Sequence, residues 1–277
     1  MNISTTTLEA TEYFLFTATD PDADAAEMRA AMGEQGYVFF SGLVPVDEVL
    51  AVRRLALELC REAGWLDPAH DLMDAIVAPG VGEIKEGHPD YMPMYRKLLK
   101  TPRFHDFPAQ PALMDVARKL LGDEVLVHPR RIGRVTFPNY LSATTPPHQD
   151  HYYIRGAVET YSSWVPLGDC PISLGGLAVW PGSHRQGFLD HTAIHPGAVG
   201  GHGVPVDESR IDWHTIDWQV GDAIFFHSYM IHRALPNLSG NRLRVSTDNR
   251  YQRPKEDIHP GSLLPHLGLD LDDNNRN

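Results

Sequence analysis

A chain of 277 residues is long enough to bury a sizeable core, and its formal net charge of −12 lacks the Lys/Arg excess that binds nucleic-acid phosphates or an anionic membrane surface. The two cysteines, Cys60 and Cys170, lie far apart, which excludes a disulfide framework and a thiolate zinc site, so any metal must be held by nitrogen and oxygen. There is no basic leader before an apolar run and no apolar stretch of about eighteen residues, so the reading is a cytoplasmic protein with both thiols free and no membrane or nucleic-acid partner.

In chain order, residues 22–34 and 47–64 carry apolar residues at helical spacing, each with an Asp at the expected N-cap and Gly near the end. Between them YVFFSGL reads as a short strand. Residues 78–93 are turn-rich, and the wider segment 78–97 reads as a loop that closes over a site, presenting His88 and Tyr91, with Lys85 or Arg96 able to meet an acidic group. A third helix is expected over 110–121, ending at Gly122. From there the pattern turns to strands: EVLVHPRRIGRVTF, VETYSSWVPL, GGLAVW, HTIDWQV, DAIFFHSYMI and RLRVSTDNRYQ, separated by Gly, Pro, Asp and Asn, with a second long turn-rich stretch over 186–214. Helices followed by many short strands predict an α+β protein with helices outside a β-sandwich or jelly roll.

Within the strand region, PPHQDHYY (146–153) places His148 and Asp150 two apart. In an extended strand such residues share a face, which aims an imidazole and a carboxylate at one point and brings Tyr152 to the same side. A metal needs a third ligand, and GDAIFFHSYMIHRALPN offers His227 and His232, five apart, so parity does not choose between them. Two neutral imidazoles and one carboxylate fill one face of an octahedron and leave three adjacent positions open, the facial arrangement of non-haem Fe(II) oxygenases. Downstream, Arg242, Arg244, Ser246, Asp248 and Arg250 share one face of RLRVSTDNRYQ. That face is either an edge in water or a polar barrel interior in which Arg244 pairs bidentately with a carboxylate and Ser246 adds a hydroxyl. Arg130, Arg131 and Arg134 cluster on an earlier strand and favour an anionic substrate if one points inward.

The run from PPHQD through SSWVPLGDCPISLGGLAVWPGSHRQG to GDAIFFHSYMIHRALPNLSGNRLRVS resembles the phytanoyl-CoA dioxygenase family of Fe(II)/2-oxoglutarate-dependent oxygenases, over roughly residues 125–255. The resemblance implies a double-stranded β-helix, the jelly-roll or cupin-like barrel. It implies a single domain over 1–277, with 1–124 mainly helical support, 125–255 the barrel core and 256–277 a tail. It selects His232 as the third metal ligand beside His148 and Asp150 and leaves His227 nearby. It places Arg244 on the distal carboxylate of 2-oxoglutarate, with Ser246 beside it, Arg242 as a competing register and Trp164 against the same cosubstrate. The implied cofactors are Fe(II), 2-oxoglutarate and O2. The implied reaction is hydroxylation of an unactivated C–H bond of a small-molecule substrate with release of succinate and CO2, the intact Asp150 favouring oxygenation over halogenation. His184 in WPGSH is expected to pin a turn. Where many relatives have Asn-Gly before that motif, this chain has Leu174-Gly175-Gly176. Two other classes keep the same ligands: a metal-binding cupin-like protein without oxygenase activity, and a non-redox metal-dependent cupin enzyme.

Overall fold

A computed structural model describes residues 13–122, 124–140, 144–193 and 199–269. The first helix, α1 (Ala25–Gln35), is fixed by a capping box: Asp24 accepts from the amides of Ala26 and Glu27 at 2.7 and 2.9 Å, and Glu27 accepts from Asp24 N at 3.0 Å. It stops at Gly36, whose φ of 78° and close approach to the His184 ring and Met230 leave no room for a β-carbon. β1 (Tyr37–Phe40) follows, then α2 (Val46–Glu62). The expected Asp cap of α2 is absent, since the helix starts after Pro45 with Asp47 and Glu48 in its first turn, where they meet the positive end of the dipole. Next come α3 (Tyr91–Leu99), α4 (Pro102–Asp106) and α5 (Pro111–Leu121). α3 corrects the reading of 78–97 as continuous loop. Tyr91, Met94, Tyr95, Leu98 and Leu99 are buried at helical spacing, and Pro93 falls in the first turn, where its missing N–H costs nothing.

The strands are β2 (Leu126–Val127), β3 (Ile132–Thr136), β4 (His148–Gln149), β5 (Tyr161–Pro166), β6 (Leu177–Val179), β7 (Thr192–Ala193), β8 (His202–Gly203), β9 (Ala223–His227), β10 (Ile231–Ala234) and β11 (Arg244–Gln252), with α6 (His151–Ile154) directly after Asp150. Two antiparallel sheets form the jelly roll. One runs β1-β9-β5-β11-β2 with β3 also on β11, and the other runs β4-β10-β6. The expected strand over 214–220 is not formed. That segment makes isolated bridges at His214 and Trp218, while the Thr215 hydroxyl bonds the Leu177 carbonyl and Asp217 accepts from Ile172 N, side-chain bonds that replace a regular ladder.

Period-two alternation sorts the large sheet. Val38 and Phe40, Phe225, Tyr161 and Val165, and Val245 and Tyr251 join the cluster that buries α1, α2, α3 and α5, whereas Tyr37, Phe39, Ile224, Phe226 and Trp164 face the other way. The helices cover one face and the small sheet lies across the other, so most of the strand residues are buried on both sides. Among the described residues no helix is long and apolar enough to cross a membrane.

Candidate active site

The sheets converge on His148, Asp150 and His232, whose donor atoms all lie within 4.8 Å of one another. His148 on β4 stands directly opposite His232 on β10, and the ring centroids are 4.1 Å apart. Each ring donates Nδ1–H to a nearby carbonyl, His148 to Pro146 at 2.8 Å and His232 to Met230 at 3.0 Å. This fixes the tautomer and leaves both Nε2 lone pairs facing inward, 3.8 and 3.9 Å from Asp150 Oδ1. Burial lowers the affinity of both imidazoles for a proton, so they are neutral, and these contacts are convergent ligand atoms rather than ion pairs. Burial opposes ionisation of Asp150, but the Arg250 guanidinium and the Ser162 hydroxyl override it and hold the carboxyl well below its usual range.

Two imidazole nitrogens and a carboxylate, all deprotonated and buried, form a donor set that fits one divalent cation. The extended-strand argument for this pair needs amendment. β4 ends at Gln149, and Asp150 has φ −58° and ψ −32°, so it opens α6. Tyr152 therefore leaves the ligand face and stacks on His191, while Tyr153 meets the edge of His148. His227, at the end of β9, is apart from the cluster, with its Nδ1 accepting from Tyr229 N at 3.0 Å. His184 reaches the Gly33 carbonyl at 3.2 Å and anchors its turn to α1, as expected.

A small cavity opens beside the triad, walled by Trp164, Leu177, Phe226, Arg244 and Arg250. Arg244 is 4% exposed; it donates to the Ser246 hydroxyl at 2.8 Å and the Thr136 hydroxyl at 2.7 Å, and among the described residues its Nε has no partner. Among the described residues no carboxylate lies within ion-pair distance of it, so the pocket carries an uncompensated buried cation. Arg242 precedes β11 and turns away, its Nε 3.3 Å from the Asp74 carbonyl, which separates the two registers. Trp164 packs on Trp218 at 4.7 Å between centroids and presents its other side to the cavity.

A larger cavity of about 310 Å³ continues from His148 and Asp150, bounded by Arg130, Ile132, Tyr153, Ile154 and Leu267, with Lys85, Glu86 and Gly87 at its edge. Arg134 is committed there to Glu86 at 2.7 Å and Asp248 at 2.9 Å. Arg131 bonds the His105 carbonyl instead. Of the residues expected on the loop, Tyr91 is buried with its hydroxyl taking the Val135 amide, and His88 lies beside Asp90 in solvent; neither lines this cavity. The sequence reading missed what Ser162 and Arg250 do: Ser162 Oγ donates to Asp150 Oδ2, and Arg250 Nη2 lies 3.0 Å from both carboxylate oxygens. Alternation with Trp164 was a signal for Ser162, since it sets both on one face of β5.

The profile of the phytanoyl-CoA dioxygenase family matches residues 32–245. A 1-deoxypentalenic acid 11-beta-hydroxylase from Streptomyces exfoliatus is 29% identical over 235 residues, 79% of this chain and 78% of that protein. Among solved structures, the epimerase SnoN in complex with Fe3+, alpha-ketoglutarate and nogalamycin RO superposes with a TM-score of 0.61 at 21% identity, covering 89% of this chain and 92% of that one. EctD from S. alaskensis with 2-oxoglutarate and 5-hydroxyectoine gives 0.54 at 25% identity, with 88% and 80% covered.

Proposed function

The chain belongs to the phytanoyl-CoA dioxygenase family and is a 2-oxoglutarate-dependent dioxygenase, and on that premise we propose that it hydroxylates an unactivated C–H bond of an anionic small molecule in the cytoplasm. When bound, Fe(II) supplies the redox chemistry: O2 oxidises 2-oxoglutarate to succinate and CO2, and one oxygen atom goes to the substrate carbon. His148, Asp150 and His232 would hold the metal through two Nε2 atoms and Oδ1. Arg244 would take the distal carboxylate of 2-oxoglutarate, which supplies the anion this buried guanidinium lacks, and Ser246 and Thr136 hold the guanidinium in place. Trp164, Leu177 and Phe226 would form the apolar wall against which the cosubstrate packs.

The single observation that carries this reading is the shared cavity, in which three convergent ligand atoms and an uncompensated buried arginine face each other. A cupin-like protein that only binds metal has no use for that arginine. The substrate would occupy the larger cavity against Ile132, Ile154 and Tyr153. Arg130 supports an anionic substrate: it lines this cavity, its one hydrogen bond is a 3.3 Å contact to the Tyr153 carbonyl, and among the described residues it has no acidic partner at ion-pair distance. The relative whose name includes an acid substrate agrees with that choice. The test is a substrate screen scored by succinate release under Fe(II), ascorbate, 2-oxoglutarate and air. Stimulation by small carboxylic acids above the substrate-free rate is expected. Metal-loaded protein that forms no succinate with any substrate would refute the oxygenase reading.

A further inference from the structure

Asp150 is gripped asymmetrically. Arg250 on β11 and Ser162 on β5 are directly paired across the large sheet, so one rung supplies both side chains that hold the carboxylate. Ser162 donates to Oδ2 alone, and Arg250 Nη2 lies 3.0 Å from each oxygen. Oδ2 thus has two donors, while Oδ1 has one and faces both imidazoles. Arg250 is 4% exposed, and among the described residues its Nε and Nη1 have no hydrogen-bond partners. Burying a cation with two unmet donors is a poor route to stability, so its retention needs another reason.

Resting on the reading of this site as an Fe(II) centre, we infer that Arg250 and Ser162 are positioning residues that restrict Asp150 to ligation through Oδ1. The consequence is a matter of counting positions. Two imidazoles and one carboxylate oxygen leave three of six positions open, two for a chelating 2-oxo acid and one for oxygen. A carboxylate that spends both oxygens on the metal takes one of these three, and the cosubstrate then fills the remainder. The Ser162–Arg250 rung therefore guards the position that oxygen needs, by occupying Oδ2 with donors that the metal would have to displace.

The test loads wild type, Arg250→Leu, Arg250→Lys and Ser162→Ala with Co(II) and reads the ligation of Asp150 by crystallography and X-ray absorption. Wild type and Arg250→Lys should show one Asp150 oxygen on the metal. Arg250→Leu should bring Oδ2 into the coordination shell and lower Fe(II)-dependent succinate formation about 10- to 100-fold while one metal ion per chain still binds. Ser162→Ala removes a small hydroxyl, spares the fold and should shift ligation partly the same way, which keeps the inference testable if Arg250→Leu does not fold. Unchanged one-oxygen ligation in Ser162→Ala, and in Arg250→Leu where that variant folds, overturns this inference alone. Failure of the wild type to bind metal overturns it together with the functional reading.

Discussion

Replacing Arg244 by Met separates cosubstrate binding from stability in opposite directions. In the protein without ligands the guanidinium is buried and, among the described residues, bonded to two hydroxyls with no carboxylate at ion-pair distance, so burial outweighs the pull of Asp248 and lowers its affinity for the proton. Methionine fills similar volume with no charge to desolvate, and the Ser246 and Thr136 hydroxyls lose one donor each. These terms oppose one another, and the stability change should stay within about 1 kcal/mol of zero. Binding of 2-oxoglutarate should suffer much more, because its distal carboxylate is then buried without a partner. Truncating one side of a buried charge pair costs about 2–5 kcal/mol, and about 1.4 kcal/mol is a tenfold change, so the dissociation constant should rise roughly 30- to 4,000-fold. Anaerobic titration calorimetry of the Fe(II)-loaded protein, with urea unfolding of the metal-free protein, measures both. Arg242→Met serves as the control, since that side chain turns toward Asp74. Near-normal 2-oxoglutarate affinity in Arg244→Met, with a large loss in Arg242→Met, would refute the reasoning.

Acid should destabilise the metal-free protein. Burial pushes His128 down to about 4, whereas the unfolded chain binds this proton near 6.5, so the unfolded state holds more protons between these values and stability falls as pH drops through that window, by on the order of 1–3 kcal/mol; a flat unfolding profile from pH 7 to 4 would contradict this. Both thiols are buried and free, and burial raises Cys60 to about 12 and Cys170 to about 11, so the unreduced mass should show no disulfide and native protein should resist iodoacetamide; a Cys60–Cys170 bridge would refute that expectation. Residues 78–90 should gain hydrogen-exchange protection when 2-oxoglutarate and substrate bind, because Lys85, Glu86 and Gly87 edge the larger cavity; protection near Arg244 with none at 78–90 would show that the loop is not a lid. Arg130→Ala should weaken carboxylate substrates about 10-fold or more and leave metal and 2-oxoglutarate binding unchanged; equal effects on an acid and its methyl ester in a turnover assay would remove Arg130 from substrate recognition.

Alternation read the inner face of β11 correctly from Arg244 to Arg250, because both faces of that strand are covered and its register is fixed. It failed at Arg242, which lies before the strand begins. Parity also had no purchase on His227 against His232, for a reason the fold makes plain: the chain reverses at Ser228–Met230, so the two histidines belong to different sheets. The pairing of Arg250 with Ser162 and Asp150 joins residues about a hundred positions apart, and such contacts are set by topology rather than by local pattern. α3 was legible in its apolar spacing but was obscured by two prolines that read as breakers.

The most direct test of the account is anaerobic Fe(II) titration of wild type, His232→Ala and His227→Ala. The structure predicts one Fe(II) per wild-type chain, binding retained in His227→Ala and strongly weakened in His232→Ala. Full binding in His232→Ala with loss in His227→Ala would contradict it.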